Sequence, residues 1–411
     1  MKNVATGTSD MDSGRGGEGM GKVLGGLRVI EQGAFITGPA AAMLLGDLGA
    51  DVVKVEHPEN GDPYRAFKGG LYSPHYQAYN RNKRSVTLDT KKASDLALFD
   101  ELIRDADIYI QNFRPGTADR LNAGYERLLG INPRLIYCAI TGFGPTGPSA
   151  GRPAYDSVAQ AMSGLLGQFV NPANPRVVGP AIADALTGFY ASYGILGALH
   201  ERNRTGRGCK VEVSMLEAVS HFNLDAFTQF YAAGEVAGPY SRPRVSQSYV
   251  MECSDGKWLA LHLSSPEKFW RGLIEAIEKP ELLLDSRFVD RTARIANQDE
   301  LIKELAAAFI LRPRGAWCER LEAHDVPYAP MYDVSEAMED PQAMHMELVV
   351  ETTHPVMGAS RTIRPPWSFD GGHNTAIDAP PMLGEHNEEL LEPLRAWRGG
   401  TTDSAHKRAG G

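Results

Sequence analysis

The chain reads as an α/β protein with a large Rossmann-like domain and a smaller α+β domain. Three observations predict this. Apolar runs of strand length alternate with helical stretches through the first half of the sequence. The texture then breaks at Gly234-Glu235-Val236-Ala237-Gly238-Pro239, a turn-rich stretch suited to a domain crossing. Finally, 411 residues with 43% apolar content exceed one ordinary core and suffice to bury a large pocket.

The elements follow in order. Residues 27–31 are a short apolar strand, 38–48 a helix of small residues and leucines, and 51–56 a second strand, which together make a β-α-β unit. Strands over 85–88, 107–111, 135–140 and 210–213, with a helix over 93–105, continue the pattern into a parallel sheet flanked by helices. The first turn, from Gln32 to Pro39, lacks the G-x-G-x-x-G spacing, so a nicotinamide or flavin cofactor is disfavoured. After a helix over 215–233 comes the α+β domain at 234–326, with a strand over 258–263 and helices over 266–278, 298–310 and 314–324. Residues 25–233 form the large domain, and 327–398 return to complete it. The Gly/Ser-rich stretch 1–24 and the end 399–411 are expected to be flexible tails.

Composition excludes several function classes. A net charge of −9 leaves no basic stripe for nucleic acid. The opening lacks the apolar core of a secretory signal, no segment reads as long and apolar enough to span a bilayer, and no membrane partner is expected. Four widely spaced cysteines without a paired ligand pattern suit a reduced, cytoplasmic setting. The histidines are scattered and no H-E-x-x-H spacing occurs, so no metal is assigned.

Asp184 heads a helical stretch rich in small residues, where helix-start N–H groups favour an ionised carboxylate, the form able to attack a thioester. It reads there as the N-cap, and an Asp in that place is equally consistent with capping alone. Arg152-Pro153-Ala154-Tyr155-Asp156 follows the Gly/Pro-rich segment 142–148, so a loop feeds a polar-faced helix, and such loops often line sites. Asn80-Arg81-Asn82-Lys83-Arg84 and Asn112-Phe113-Arg114-Pro115-Gly116, with Arg120, set cations beside strands, either as solvated turns or as a cradle for phosphates.

Taken in order, these motifs resemble the family III CoA-transferases and the related 2-methylacyl-CoA racemases. The likeness spans almost the whole chain, from Gly38-Pro39 and the segment 48–56 through Asn82-Lys83-Arg84-Ser85, Asn112 to Gly116, Tyr155-Asp156, Asp184 and Thr205-Gly206-Arg207-Gly208 to Leu383-Gly384-Glu385-His386. It implies a ring-shaped subunit that interlocks with a second copy, and Asp184 as covalent nucleophile. It also implies CoA contacts by His57, Lys83, Arg84, Asn112, Phe113, Arg114, Arg120, Tyr155 and Asp156. Phe35 and Ile36 read as substrate-pocket residues, an aromatic such as Phe35 being equally consistent with core, and Arg242 and Arg244, in the crossing loop, either pair with a second carboxylate of the substrate or are simply solvated. Expected substrates are CoA thioesters, with no permanently bound cofactor. Succinyl-CoA is the expected donor and a carboxylic acid the acceptor, in a homodimer or as one subunit of a heteromer. Ile36 replaces a glutamine of the formyl-CoA transferases, which argues against oxalate. Tyr155 replaces the histidine of the racemases, which argues against racemization.

Overall fold

The computed structural model describes residues 22–406, with side chains through 397. Among the described residues, the larger compact unit comprises 22–159, 181–219 and 349–406. Six strands form its sheet: β1 (Arg28–Gln32), β2 (Asp51–Glu56), β3 (Lys83–Thr87), β4 (Ile108–Gln111), β5 (Ile136–Thr141) and β6 (Lys210–Ser214). Their order is β3-β2-β1-β4-β5-β6 and every pairing is parallel. The central strands are buried on both faces, with apolar stretches in β1, β2, β4 and β5, and successive residues serve opposite layers. Val29, Val52 and Ile108 face one core with Ala41, Leu45, Ile195 and Leu199, whereas Ile30, Val53 and Tyr109 face another with Phe99, Leu102 and Leu391.

The helices Thr37–Asp47 and Ile182–Thr205 cover the first of these faces. Small residues let them approach closely. A β-carbon added to Gly188 would lie 2.7 Å from Ala40 Cβ and 2.9 Å from the Thr37 carbonyl oxygen. Contrary to the sequence reading, Ile182–Thr205 is long and apolar enough by length and composition to cross a bilayer, but here it is a core helix against β5 and β6.

The smaller unit comprises residues 160–180 and 220–348. Its antiparallel sheet, β7 (Ser248–Glu252), β8 (Trp258–His262) and β9 (Tyr328–Pro330), packs with helices Glu267–Ile277, Gln298–Phe309 and Arg314–Ala323 around Trp270, Phe309 and Trp317. It is wider than the expected 234–326, because the turn-rich stretch is a connection within this unit. The helix expected over 215–233 divides at Asn223. The arginines at 242 and 244 lie on a short helix, Ser241–Ser246, rather than in a loop.

At the ends, the expected flexibility of 1–21 lies outside the described residues. Leu24 N already donates to Leu48 O at 2.9 Å. The final helix Asn387–His406 continues past 399, where a flexible tail was expected, because the buried Leu391 anchors it against the sheet layer.

Candidate active site

In a parallel sheet of this order the connections from β1 and β4 diverge, leaving a crevice at their carboxyl ends where ligands bind. Both following loops line a pocket of about 180 Å³: Ala34, Phe35 and Ile36 after β1, and Asn112, Phe113 and Arg114 after β4. Asn112 ties the loops together. Its Oδ1 accepts from Ala34 N at 2.9 Å, and its Nδ2 donates to Ala34 O at 2.7 Å and Thr37 Oγ1 at 2.8 Å. Phe35 has φ of 60°, an uncommon left-handed conformation for an aromatic residue and a form of strain that collects at functional sites. Its ring meets Tyr155 edge-on, with centroids 5.9 Å apart.

Asp184 reaches the same pocket from the first turn of the Ile182–Thr205 helix. It is not the N-cap that the sequence suggested. The cap position is Ala181, and the capping oxygen comes from Asp156, whose Oδ1 accepts from Ala183 N at 2.7 Å and Asp184 N at 3.2 Å. Asp184 is thereby released from capping, and its half-buried carboxylate faces the pocket. Burial, and then the nearby charge of Asp156, push its pKa up from 3.8 to about 7. A carboxyl perturbed in this way within a cleft marks a functional site. The Ala183 and Asp184 N–H groups, taken by Asp156, are not free to serve an oxyanion. Arg114 and Arg152 instead bring positive charge to the pocket lining.

Comparison with known proteins gives the family. A model of CoA-transferase family III matches residues 24–387. The chain belongs to CoA-transferase family III. It is 36% identical over 333 residues to the acetyl-CoA:oxalate CoA-transferase of Acetobacter aceti, covering 80% of this chain and 85% of that protein. Over 389 residues it is 31% identical to the succinyl-CoA:glutarate CoA-transferase of Homo sapiens, covering 91% and 86% of the two chains. The crystal structure of a CAIB/BAIF family protein from Brucella suis superposes with a TM-score of 0.81 at 30% identity, covering 91% of this chain and all of that one. The protein is therefore an enzyme, a CoA-transferase whose family uses CoA thioesters and carboxylates. An oxalate transferase stands among these relatives, so the argument from Ile36 against oxalate gains no support.

Within this family III transferase the expected site residues fall into three groups. Phe35, Ile36, Asn112, Phe113, Arg114, Tyr155 and Asp184 line one pocket, with Asp156 bonded at its edge. His57 lines an adjoining cleft of about 260 Å³ that shares Ala34 and Phe113 with that pocket. The others are placed elsewhere. Lys83 is buried, its Nζ donating to Glu31 Oε2, Pro39 O and Asn80 Oδ1 at 2.8–2.9 Å, so it has no donor left for a phosphate. Arg84 is held by Asp51 and Glu389, and Arg120 donates to Thr117 Oγ1. Arg244 lies in the smaller unit, 3.5 Å from Asp299. The basic run 80–84 thus serves internal ion pairing: the carboxylates that match it are distant in sequence, and a local reading does not see them.

Two lining residues escaped the sequence reading. Arg152, whose guanidinium lies over the Phe143 ring at 5.5 Å, heads the very motif that was singled out. Lys91 lines the His57 cleft from a loop without any motif, and nothing in the sequence signals it. Among the described residues no group of three or more His, Cys, Asp or Glu is placed to hold a metal.

Proposed function

We propose that the enzyme moves CoA from succinyl-CoA to a carboxylic acid through covalent intermediates on Asp184. The observation that carries this reading is the half-buried Asp184 carboxylate in a pocket at the divergence of β1 and β4, free of capping duty and with arginines nearby. An Asp184 oxygen attacks the thioester carbonyl, the C–S bond breaks, and an aspartyl–acyl anhydride forms with CoA thiolate as leaving group. The thiolate then attacks the aspartyl carbonyl, releasing the donor acid and leaving an aspartyl–CoA thioester. The acceptor carboxylate attacks this thioester, and the freed thiolate takes the acceptor's acyl group, restoring Asp184. No net proton is consumed, and acyl activation is retained provided that water is excluded. Arg114 and Arg152 stabilise the tetrahedral oxyanions.

In the same reading, CoA runs from the Asp184 pocket past Asn112, Phe113 and Tyr155 into the cleft of His57 and Lys91, with Arg114 and Lys91 meeting its phosphates. Relatives named as succinyl-CoA transferases of glutarate and D-citramalate support a succinyl donor and a dicarboxylic acceptor. Racemization finds no histidine among the pocket-lining residues. Two copies interlock into a dimer, a reading supported by broadly exposed aromatic residues such as Tyr193 and Tyr231. Four free thiols support a reduced cytoplasmic setting.

The test is peptide mass spectrometry after incubation with succinyl-CoA and hydroxylamine trapping. An adduct on the Asp184 peptide, absent from Asp184→Asn, supports the mechanism. Turnover without any such adduct, undiminished in Asp184→Asn, overturns it.

A further inference from the structure

Beneath the Asp184 pocket lies a cluster of six buried charges: Glu31, Lys54, Glu56, Asp62, Arg65 and Lys83. Such clusters seldom stabilise a protein more than apolar packing of the same volume, so their presence asks for another use. Lys54 Nζ donates to Glu31 Oε1 at 2.7 Å and to Gly33 O at 2.8 Å, and lies 3.1 Å from Asp62 Oδ2. Asp62 Oδ1 in turn accepts from Phe35 N at 3.0 Å and Tyr64 N at 2.9 Å. A single carboxylate oxygen therefore anchors two aromatic residues whose ring centroids are 5.8 Å apart. The lysine fixes the Gly33 carbonyl, the aspartate fixes the Phe35 N–H, and the backbone between them makes the turn that leaves Phe35 left-handed. A carboxylate only accepts hydrogen bonds, which suits Oδ1 to the two backbone N–H groups it meets.

We propose that Lys54 and Asp62 are a positioning pair which locks Phe35 into its left-handed conformation and so sets the acyl selectivity of the Asp184 pocket. This rests on the reading of that pocket as the acyl site. Lys54 is fully buried, and Asp62, which borders the His57 cleft with only 3% exposure, spends its Oδ1 on the Phe35 and Tyr64 N–H groups. The pair acts through the loop that carries the Phe35 ring against Tyr155.

A double-mutant cycle tests it, read as the ratio of kcat/KM for succinyl-CoA to that for acetyl-CoA, or for the two donors that the wild type turns over best. Inhibition by free CoA is the control for CoA binding. Asp62→Asn, whose amide donates as well as accepts, should shift the ratio by about tenfold while inhibition by CoA stays within about twofold. Glycine adopts a positive φ unaided, so Asp62→Asn should change the ratio less than about twofold in a Phe35→Gly background. Additive effects in the double variant overturn the proposal, as does a ratio unmoved by Asp62→Asn while kcat falls equally for both donors. If Asp62→Asn gives no folded protein, Lys54→Gln enters the same cycle under the same criteria. A missing Asp184 adduct would sink the nucleophile reading, yet leave this cycle readable, because selectivity is measured by turnover.

Discussion

At the scale of single residues, Asp184 and Lys83 show how position overrides residue type. Asp184 has its pKa raised to about 7 by burial and by Asp156, so the neutral form dominates below that value. For the free enzyme kcat/KM should therefore fall about tenfold per unit as pH drops below about 7, measured over pH 5–8 in a constant-ionic-strength buffer. The linkage to stability has the opposite sense. Between the unfolded value of 3.8 and about 7 the folded protein holds a proton that the unfolded chain has lost, so Asp184 weakens the fold as pH rises through that window. Asp184→Asn should accordingly raise Tm at pH 8 by roughly 2–4 °C and by less at pH 5. Lys83, by contrast, is structural. Lys83→Gln removes one of the two ammonium partners of Glu31, leaving Lys54, and should cost about 1–3 kcal/mol in denaturant unfolding, with the affinity of the folded fraction for CoA unchanged. The sequence made the first residue legible because its segment carries family motifs. It misled on the second because the partner Glu31 lies 52 positions away.

At the scale of elements, the contact between the Thr37–Asp47 and Ile182–Thr205 helices sets where Asp184 stands. Gly188, one turn beyond Asp184, has no room for a side chain, so Gly188→Val should destabilise by about 1–3 kcal/mol and depress turnover as the helix start shifts. Gly197 on the same helix faces open space and is exposed, and Gly197→Ala should stabilise by about 0.5–1 kcal/mol. Thermal unfolding of both variants checks the contrast. The strands and helices of the sheet were readable within a few residues, because most strands carry a short apolar stretch, such as Val29-Ile30, Val52-Val53 or Ile108-Tyr109-Ile110, between turn signals. The capping of Asp184's helix was not, since Asp156 arrives from 28 positions upstream.

At the scale of the whole molecule, the proposed interlocked homodimer predicts about twice the chain mass of 44.7 kDa by light scattering, unchanged on dilution. A monomer would sink the interlocking reading. A dependence of activity on a second polypeptide would favour a heteromer, the arrangement implied by the name of one relative, the succinyl-CoA–L-malate CoA-transferase beta subunit of Chloroflexus aurantiacus. What the residues alone carried was the α/β class, the family and the identity of the candidate nucleophile, because periodicity and ordered motifs are local properties of a chain. Tertiary structure decided which cations are free and which are spent on ion pairs, what caps the Asp184 helix, and what holds Phe35 in a strained turn. Each of these depends on groups tens of residues apart meeting in a medium where an unpaired charge is costly, and that pairing exists only once the sheet has formed.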